Sequence, residues 1–228
     1  MLYLIFINFF IGYIDSSKIE LSYKYKKIKI SNLNGNLNIE YISSDTSPYL
    51  KIKKKAIGKF EKFKEWIETV KIIMNEEDEF YKIKVEYPEN FKGIKDESVD
   101  LNLILPYEME YIDVKVLNGE IKVKDLISQK YKIVLLNGDA MIKEISGEGE
   151  VRVNNGDINF IVSHDKFLNT KLKVLNGSIL ISCPSFTQII PKVVNGEIKG
   201  DLLFEKSDIF QKIECETFNG DIKIRRAK

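Results

Sequence analysis

From Val114 onward, apolar and polar residues alternate in short runs on either side of an Asn-Gly dipeptide. Val114 and Val116 precede Asn118-Gly119, and Ile121 and Val123 follow it. The same places around the next three pairs hold Ile133, Leu135, Ala140 and Ile142, then Val151, Val153, Ile158 and Phe160, then Leu172, Val174, Ile179 and Ile181. Alternation with period two marks a strand with one buried face, so each unit is two short strands meeting at Asn-Gly. The dipeptide stands at Asn34-Gly35, Asn118-Gly119, Asn137-Gly138, Asn155-Gly156, Asn176-Gly177, Asn195-Gly196 and Asn219-Gly220. The last six are 19, 18, 21, 19 and 24 residues apart, a spacing in the range that marks solenoids. A lone Asn-Gly predicts a hairpin turn, but a hairpin meander reverses alternate strands and gives no reason for a constant phase about Gly. The constant phase predicts an all-β parallel β-solenoid, β-helix-like, with coils of about 19 residues over about 111–226, each coil adding about 4.8 Å.

Parity places each Asn on the inward side, at the corner where the chain changes direction. Stacked carboxamides there pass hydrogen bonds from coil to coil and meet their own polar demand, while Gly supplies the backbone freedom of a sharp bend. Just after Gly come Glu120, Asp139, Asp157, Ser178, Glu197 and Asp221. This mostly acidic row reads as a solvated turn in preference to a divalent-cation ladder, because the ligand-dense G-G-x-G-x-D pattern is missing. Outward positions are mostly polar, as at Lys115, Lys122, Arg152, Lys173 and Lys223, and one outward row breaks that rule. The residue before each Asn is Leu33, Leu117, Leu136, Asn154, Leu175, Val194 or Phe218. Leu117, Leu136, Leu175, Val194 and Phe218 in particular form a candidate docking stripe for a partner; the favoured expectation is cover by another part of the chain.

Between the first and second Asn-Gly lie strands expected at about 49–56, 80–87 and 99–105, around a helix at about 59–76. Phe60, Phe63, Ile67, Val70 and Met74 keep helical spacing, widened by Trp66 and Ile73, with Lys and Glu opposite. Open solenoid ends need caps, so this helix is expected to close the N-terminal end or to lie on the outward stripe.

The first residues, Leu2–Ile14, are a nearly unbroken apolar run, which gives an expected signal peptide or short anchor over 1–15 ahead of one domain over 16–228. It is short for a membrane span, and a buried first strand, with a cytoplasmic protein, is the other reading. Net charge is +1, from 35 basic and 34 acidic residues, so no whole-chain field draws the protein to nucleic acid. Cys183 and Cys215 are expected to be free, lying about two coils and roughly 9–10 Å apart. His164 beside Asp165 falls in a connection and places no nucleophile; Gly147–Glu150 reads as a turn. Neither catalytic residues nor a cofactor or metal site is expected.

"IKISNLNGNLNIE", then "VDLNLILPYEMEYIDVKVLNGEIKV", then the run of strand, Asn-Gly, strand units resembles the bacterial putative-adhesin family of β-strand-repeat domains over roughly 25–226. The resemblance implies an extracytoplasmic, envelope-associated, non-enzymatic solenoid and fixes no ligand. The expected function is an adhesin-like structural or binding module for an envelope or surface ligand, protein or polysaccharide. The alternatives are a carbohydrate-acting β-helix enzyme and a scaffold that self-associates through its solenoid ends, where "DIKIRRAK" finishes just after a strand.

Overall fold

Alternating side chains sort the strands into two walls around one apolar core. The computed structural model describes residues 11–22, 24–42, 47–58, 60–77, 79–89, 94–106, 108–163, 166–200 and 211–226. Its N-terminal elements are β1 (Ile11–Glu20), β2 (Lys27–Asn34), β3 (Leu37–Tyr41), β4 (Tyr49–Gly58), α1 (Phe60–Thr69), β5 (Lys71–Glu77), β6 (Phe80–Glu86), β7 (Ile94–Leu105) and β8 (Met109–Asn118). Then come β9 (Ile121–Asn137), β10 (Ala140–Asn155), β11 (Ile158–Ile161), β12 (Leu168–Asn176), β13 (Ile179–Cys183), β14 (Gln188–Asn195), β15 (Ile198–Gly200), β16 (Gln211–Asn219) and β17 (Ile222–Arg226). The architecture is all-β, an open, solenoid-like sheet with one helix among the described residues.

Strands that precede an Asn-Gly pair lie side by side in parallel on one wall, in the order β2, β8, β9, β10, β12, β16, β14. Strands that follow one pair in parallel on the second wall, in the order β3, β9, β10, β11, β13, β17, β15. β9 and β10 belong to both because they bend from the second wall back to the first without a break, through positive φ at Asp125 and Glu144. Gly147–Glu150, expected as a turn, lies inside β10, where Gly147 has φ 109° and the register shifts between Ser146 and Glu148. There Ser128 and Gln129 of β9 stand against Gly147 alone, an irregularity of the bulge kind that bends the ladder without ending either strand.

The inward aliphatics of both walls, among them Ile121, Ile133, Val151, Ile158, Leu172, Ile179 and Ile222, are fully buried. One inward column departs from aliphatic packing. Tyr131, Gly149 and Thr170 are neighbours in register. A Cβ on Gly149 would come within 2.4 Å of the Tyr131 ring, so the missing side chain makes room for the phenol. Burial pushes that phenol's pKa up.

The coils do not stack in chain order at either end. β16–β17, the last unit in the sequence, sits between β12–β13 and β14–β15, so β17 is internal and the C-terminal strand is not the expected open end. At the other end β6 and β7 pair outside β2 and β3, which are flanked on their inner side by β8 and β9. Cys183 and Cys215 are therefore in neighbouring coils, not two apart, on opposite walls; both are buried and free. Arg226 donates to the carbonyls of Pro184 and Thr187 at 2.8 and 3.0 Å and lies 3.3 Å from Cys183 Sγ.

The N-terminal end is closed by β5, antiparallel to β6, by β4, antiparallel to β7, and by α1. α1 rests on β1, β4 and β7 and buries Phe63 and Trp66, so it caps the end and does not cover the outward stripe. The helix is shorter than expected: Ile73 and Met74 belong to β5. Lys54 ends it, its Nζ donating to the carbonyls of Ile67 and Val70 at 2.6 and 2.9 Å, and the β-branched Ile72 and Ile73 then suit a strand. The expected leader boundary at residue 15 falls within β1, which pairs antiparallel with β4; residues 2–10 lie outside the described residues, as do His164 and Asp165.

Trp66 is 0% exposed and seals the end of the core. Trp66→Ala should lower unfolding stability by about 3–5 kcal/mol, read as a shift in urea midpoint with unchanged slope.

Candidate binding face at the Asn-Gly corner

In spatial order the corner asparagines are Asn34, Asn118, Asn137, Asn155, Asn176, Asn219 and Asn195, each in register with the next. Every carboxamide but that of Asn34 donates to Oδ1 of a neighbour. The bonds run from Asn118 to Asn34 (2.7 Å), Asn137 to Asn118, Asn155 to Asn137, Asn176 to Asn155, Asn219 to Asn176 (2.8 Å each) and Asn195 to Asn219 (2.9 Å). The column is less buried than its parity predicts: Asn155, Asn176, Asn195 and Asn219 are exposed, because the chain has already begun to turn away from the core. Its N-terminal end is closed without another Asn-Gly. The Tyr87 hydroxyl accepts from the Val99 amide at 3.0 Å and lies against the Asn34 carbonyl, and buried Asn32 donates to the Val99 carbonyl at 2.7 Å.

Glycine at the next position is demanded by the neighbouring coil. Gly119, Gly138, Gly156, Gly177 and Gly220 have φ of 126–143°, and a Cβ on Gly138 would sit 1.8 Å from the carbonyl oxygen of Gly119. The Gly amides donate to the Asn carbonyls of the next coil, for example Gly138 to Asn155 at 2.9 Å. The following row has a structural role that its composition alone did not reveal. Oδ1 of Asp139 accepts from the Asp157 amide (2.8 Å), Oδ1 of Asp157 from Ser178 (2.7 Å), and Oδ1 of Asp221 from Glu197 (3.0 Å). Asn36 and Asp100 continue the pattern, accepting from the amides of Glu120 and Asn36 at 2.9 Å each. Among the described residues no group of three or more His, Cys, Asp or Glu gathers to hold a metal.

On the other flank of the Asn column the apolar stripe stands in solvent. Leu33, Leu175, Phe218 and Val194 are 42, 44, 47 and 50% exposed, and Leu117 and Leu136 are half-buried. Among the described residues the expected cover from within is not there, because the helix is used at the end of the stack. In spatial order the ridge runs Leu33, Leu117, Leu136, Asn154, Leu175, Phe218, Val194, so its one polar member is central. Beyond it on the first wall lie Lys115, Val134, Arg152, Lys173, Glu216 and Lys192. Around the corner on the second wall, Lys122, Met141, Asn159, Leu180, Lys223 and Arg225 line a shallow groove of about 520 Å³ beside the acidic row.

A family model matches residues 25–228, nearly the whole chain. The chain belongs to the Toastrack DUF4097 family. Its fold is shared with a crystal structure described as a putative cell adhesion protein from Clostridium sporogenes ATCC 15579, at 15% identity and TM-score 0.53, covering 94% of this chain and 100% of that one. A putative adhesin from Bacteroides fragilis NCTC 9343 is similar at 14% identity and TM-score 0.39, over 93% and 97% of the two chains. The family match agrees with the resemblance drawn from the repeats. No curated protein matches this Toastrack chain.

Gly138→Ala should lower stability by about 2–4 kcal/mol in denaturant titration, since a side chain there meets both positive φ and a backbone carbonyl. Burial pushes the Cys215 thiol up to about 12. The unfolded thiol ionises near its ordinary value of about 8.5, so the stability this protonated group contributes is complete below that pH and is lost as pH rises towards 12. Titration of stability from pH 7 to 11 should fall on the alkaline side, less so in Cys215→Val.

Proposed function

We propose that this Toastrack protein is a non-enzymatic, adhesin-like parallel β-solenoid of the cell envelope. Residues 16–228 form one unit, the Asn-Gly corners hold the coils in register, and the ridge of Leu117, Leu136, Leu175, Val194 and Phe218 is its docking surface for a macromolecular surface ligand, protein or polysaccharide. The observation that carries this reading is the exposure of the ridge. A solvated β-wall has no need of a column of Leu, Val and Phe, and contiguous exposed apolar side chains are a mark of interaction surfaces. Its rigid backing supports the same reading, because a ridge fixed by bonded coils loses little conformational freedom on binding.

Two further observations favour binding over chemistry. Of the corner carboxylates that a carbohydrate-acting enzyme would draw on, Asp139, Asp157 and Asp221 accept backbone N–H groups of neighbouring coils, and Glu120 and Glu197 pair with Lys122 and Lys199. Outward cations are mixed with acids, as in Lys173 with Glu150 at 2.9 Å and Lys192 with Glu216 at 2.7 Å, a pattern that supports no role with nucleic acid.

Co-sedimentation with purified cell-wall sacculi tests the reading. The wild-type chain should pellet with the sacculi, and the double variant Leu175→Ser with Phe218→Ser should bind at least tenfold less at an unchanged melting temperature. Equal pelleting of both proteins would remove the ridge from the binding surface.

A further inference from the structure

We propose that the ridge recognises itself: it docks on the same ridge of a second copy of this chain, the two stacks lying parallel and coil against coil about a two-fold axis along the stack. This rests on the reading of the ridge as a docking surface and names its partner. The first ground is pitch. Ridge side chains repeat once per coil, about every 4.8 Å, whereas one face of an extended peptide repeats about every 6.6–6.8 Å. A second copy has the same spacing by construction, so side chains of two facing ridges meet along the full length without drifting out of step.

The second ground is charge. On one flank of the ridge lie Lys115, Val134, Arg152, Lys173, Glu216 and Lys192, and on the other Glu120, Asp139, Asp157, Ser178, Asp221 and Glu197. A two-fold axis along the stack brings the basic flank of one copy over the acidic flank of the other. Lys115 then faces Glu120, Arg152 faces Asp157 and Lys192 faces Glu197, each twice. The single like-charge match is Glu216 over Asp221; within one copy Lys192 holds Glu216 at 2.7 Å, Lys122 holds Glu120 at 2.7 Å and Lys199 holds Glu197 at 2.6 Å, exposed pairs worth little each, which the second copy joins or exchanges. Turning one copy end over end puts each flank on itself instead, with Arg152 against Arg152, Asp157 against Asp157 and Glu120 against Asp221. Like charges placed opposite one another penalise that arrangement.

The third ground is the position of Asn154. It stands fourth among the seven ridge residues, and Nε of Arg152 donates to its Oδ1 at 3.2 Å. In the parallel pair it meets its own copy at the centre of an apolar seam. A lone Asn in such a seam fixes register in paired helices, and the same chemistry holds between two walls of equal pitch. The ridge spans six coil steps, about 29 Å, and is one side chain wide. The pairing is therefore read out as a concentration-dependent equilibrium.

Sedimentation equilibrium of the full chain should show the mass rising from 26.4 kDa towards twice that value with concentration, and Leu175→Ser with Phe218→Ser should stay at 26.4 kDa. Orientation is read by oxidative cross-linking. Leu136→Cys should form a disulfide-linked dimer by itself, whereas the end-over-end arrangement would cross-link only a mixture of Leu136→Cys and Leu175→Cys. Lys115→Glu with Lys192→Glu should weaken the dimer at least tenfold, and adding Glu120→Lys with Glu197→Lys should restore it. A chain that stays monomeric at every concentration overturns self-recognition, and if its sacculus binding still depends on the ridge, the docking reading stands alone. Cross-linking only in the mixture overturns the parallel geometry. A dimer indifferent to the ridge substitutions overturns the inference and removes one support for the docking reading.

Discussion

The close approach of glycine to carbonyl at the corner governs everything else in this protein. Neighbouring coils come so near at Gly119, Gly138, Gly156, Gly177 and Gly220 that no Cβ fits between them, and the same contact holds the backbone at positive φ. Once the corners are in register, the Asn carboxamides, the Gly amides and the row after Gly all find partners one coil away. Inward aliphatics then fall above one another without further specification. A coil alone buries too little to offset its ordering, so register and core stability are one property. The exposed ridge inherits its straightness from the same contact, two residues away.

Much of this was legible in the chain. Period-two alternation with a constant phase about Gly119, Gly138, Gly156 and Gly177 is a local property, and it identified the strands and their buried faces. The stripe before each Asn was equally visible, because its apolar members sit on the polar parity. Its fate was not, since whether Leu175 and Phe218 are covered depends on where a helix far away in sequence comes to rest.

Coil order was hidden for a related reason. The units around Asn195-Gly196 and Asn219-Gly220 carry the same local code, and either could follow β13. Composition gave one signal: Pro191, which has no N–H to give to a ladder, suits an outermost strand, and the strand around it buries its side chains poorly. At the other end, Ile73 and Met74 continue a helical stripe, yet tertiary pairing of β5 with β6 prevails over it. The acidic row, expected as a solvated turn, is exposed at Glu120, Asp139, Asp157 and Glu197, but its second role was hidden. Carboxylates after Gly suggest solvation or cation binding by composition, and only the geometry of the next coil reveals the amides they serve.

The interleaved order of the terminal coils changes what it takes to pull the molecule apart. In a stack laid down in chain order, the last coil peels away from one neighbour, and the bonds break one at a time like a zipper. Here β16 and β17 are gripped on both sides, so tension on the chain end loads two ladders together and slides them in shear. The same grip sets a timetable for synthesis. The coil that will be outermost, β14–β15, leaves the ribosome before the coil that must lie beneath it, and the end of the stack closes only when the final strands have been made.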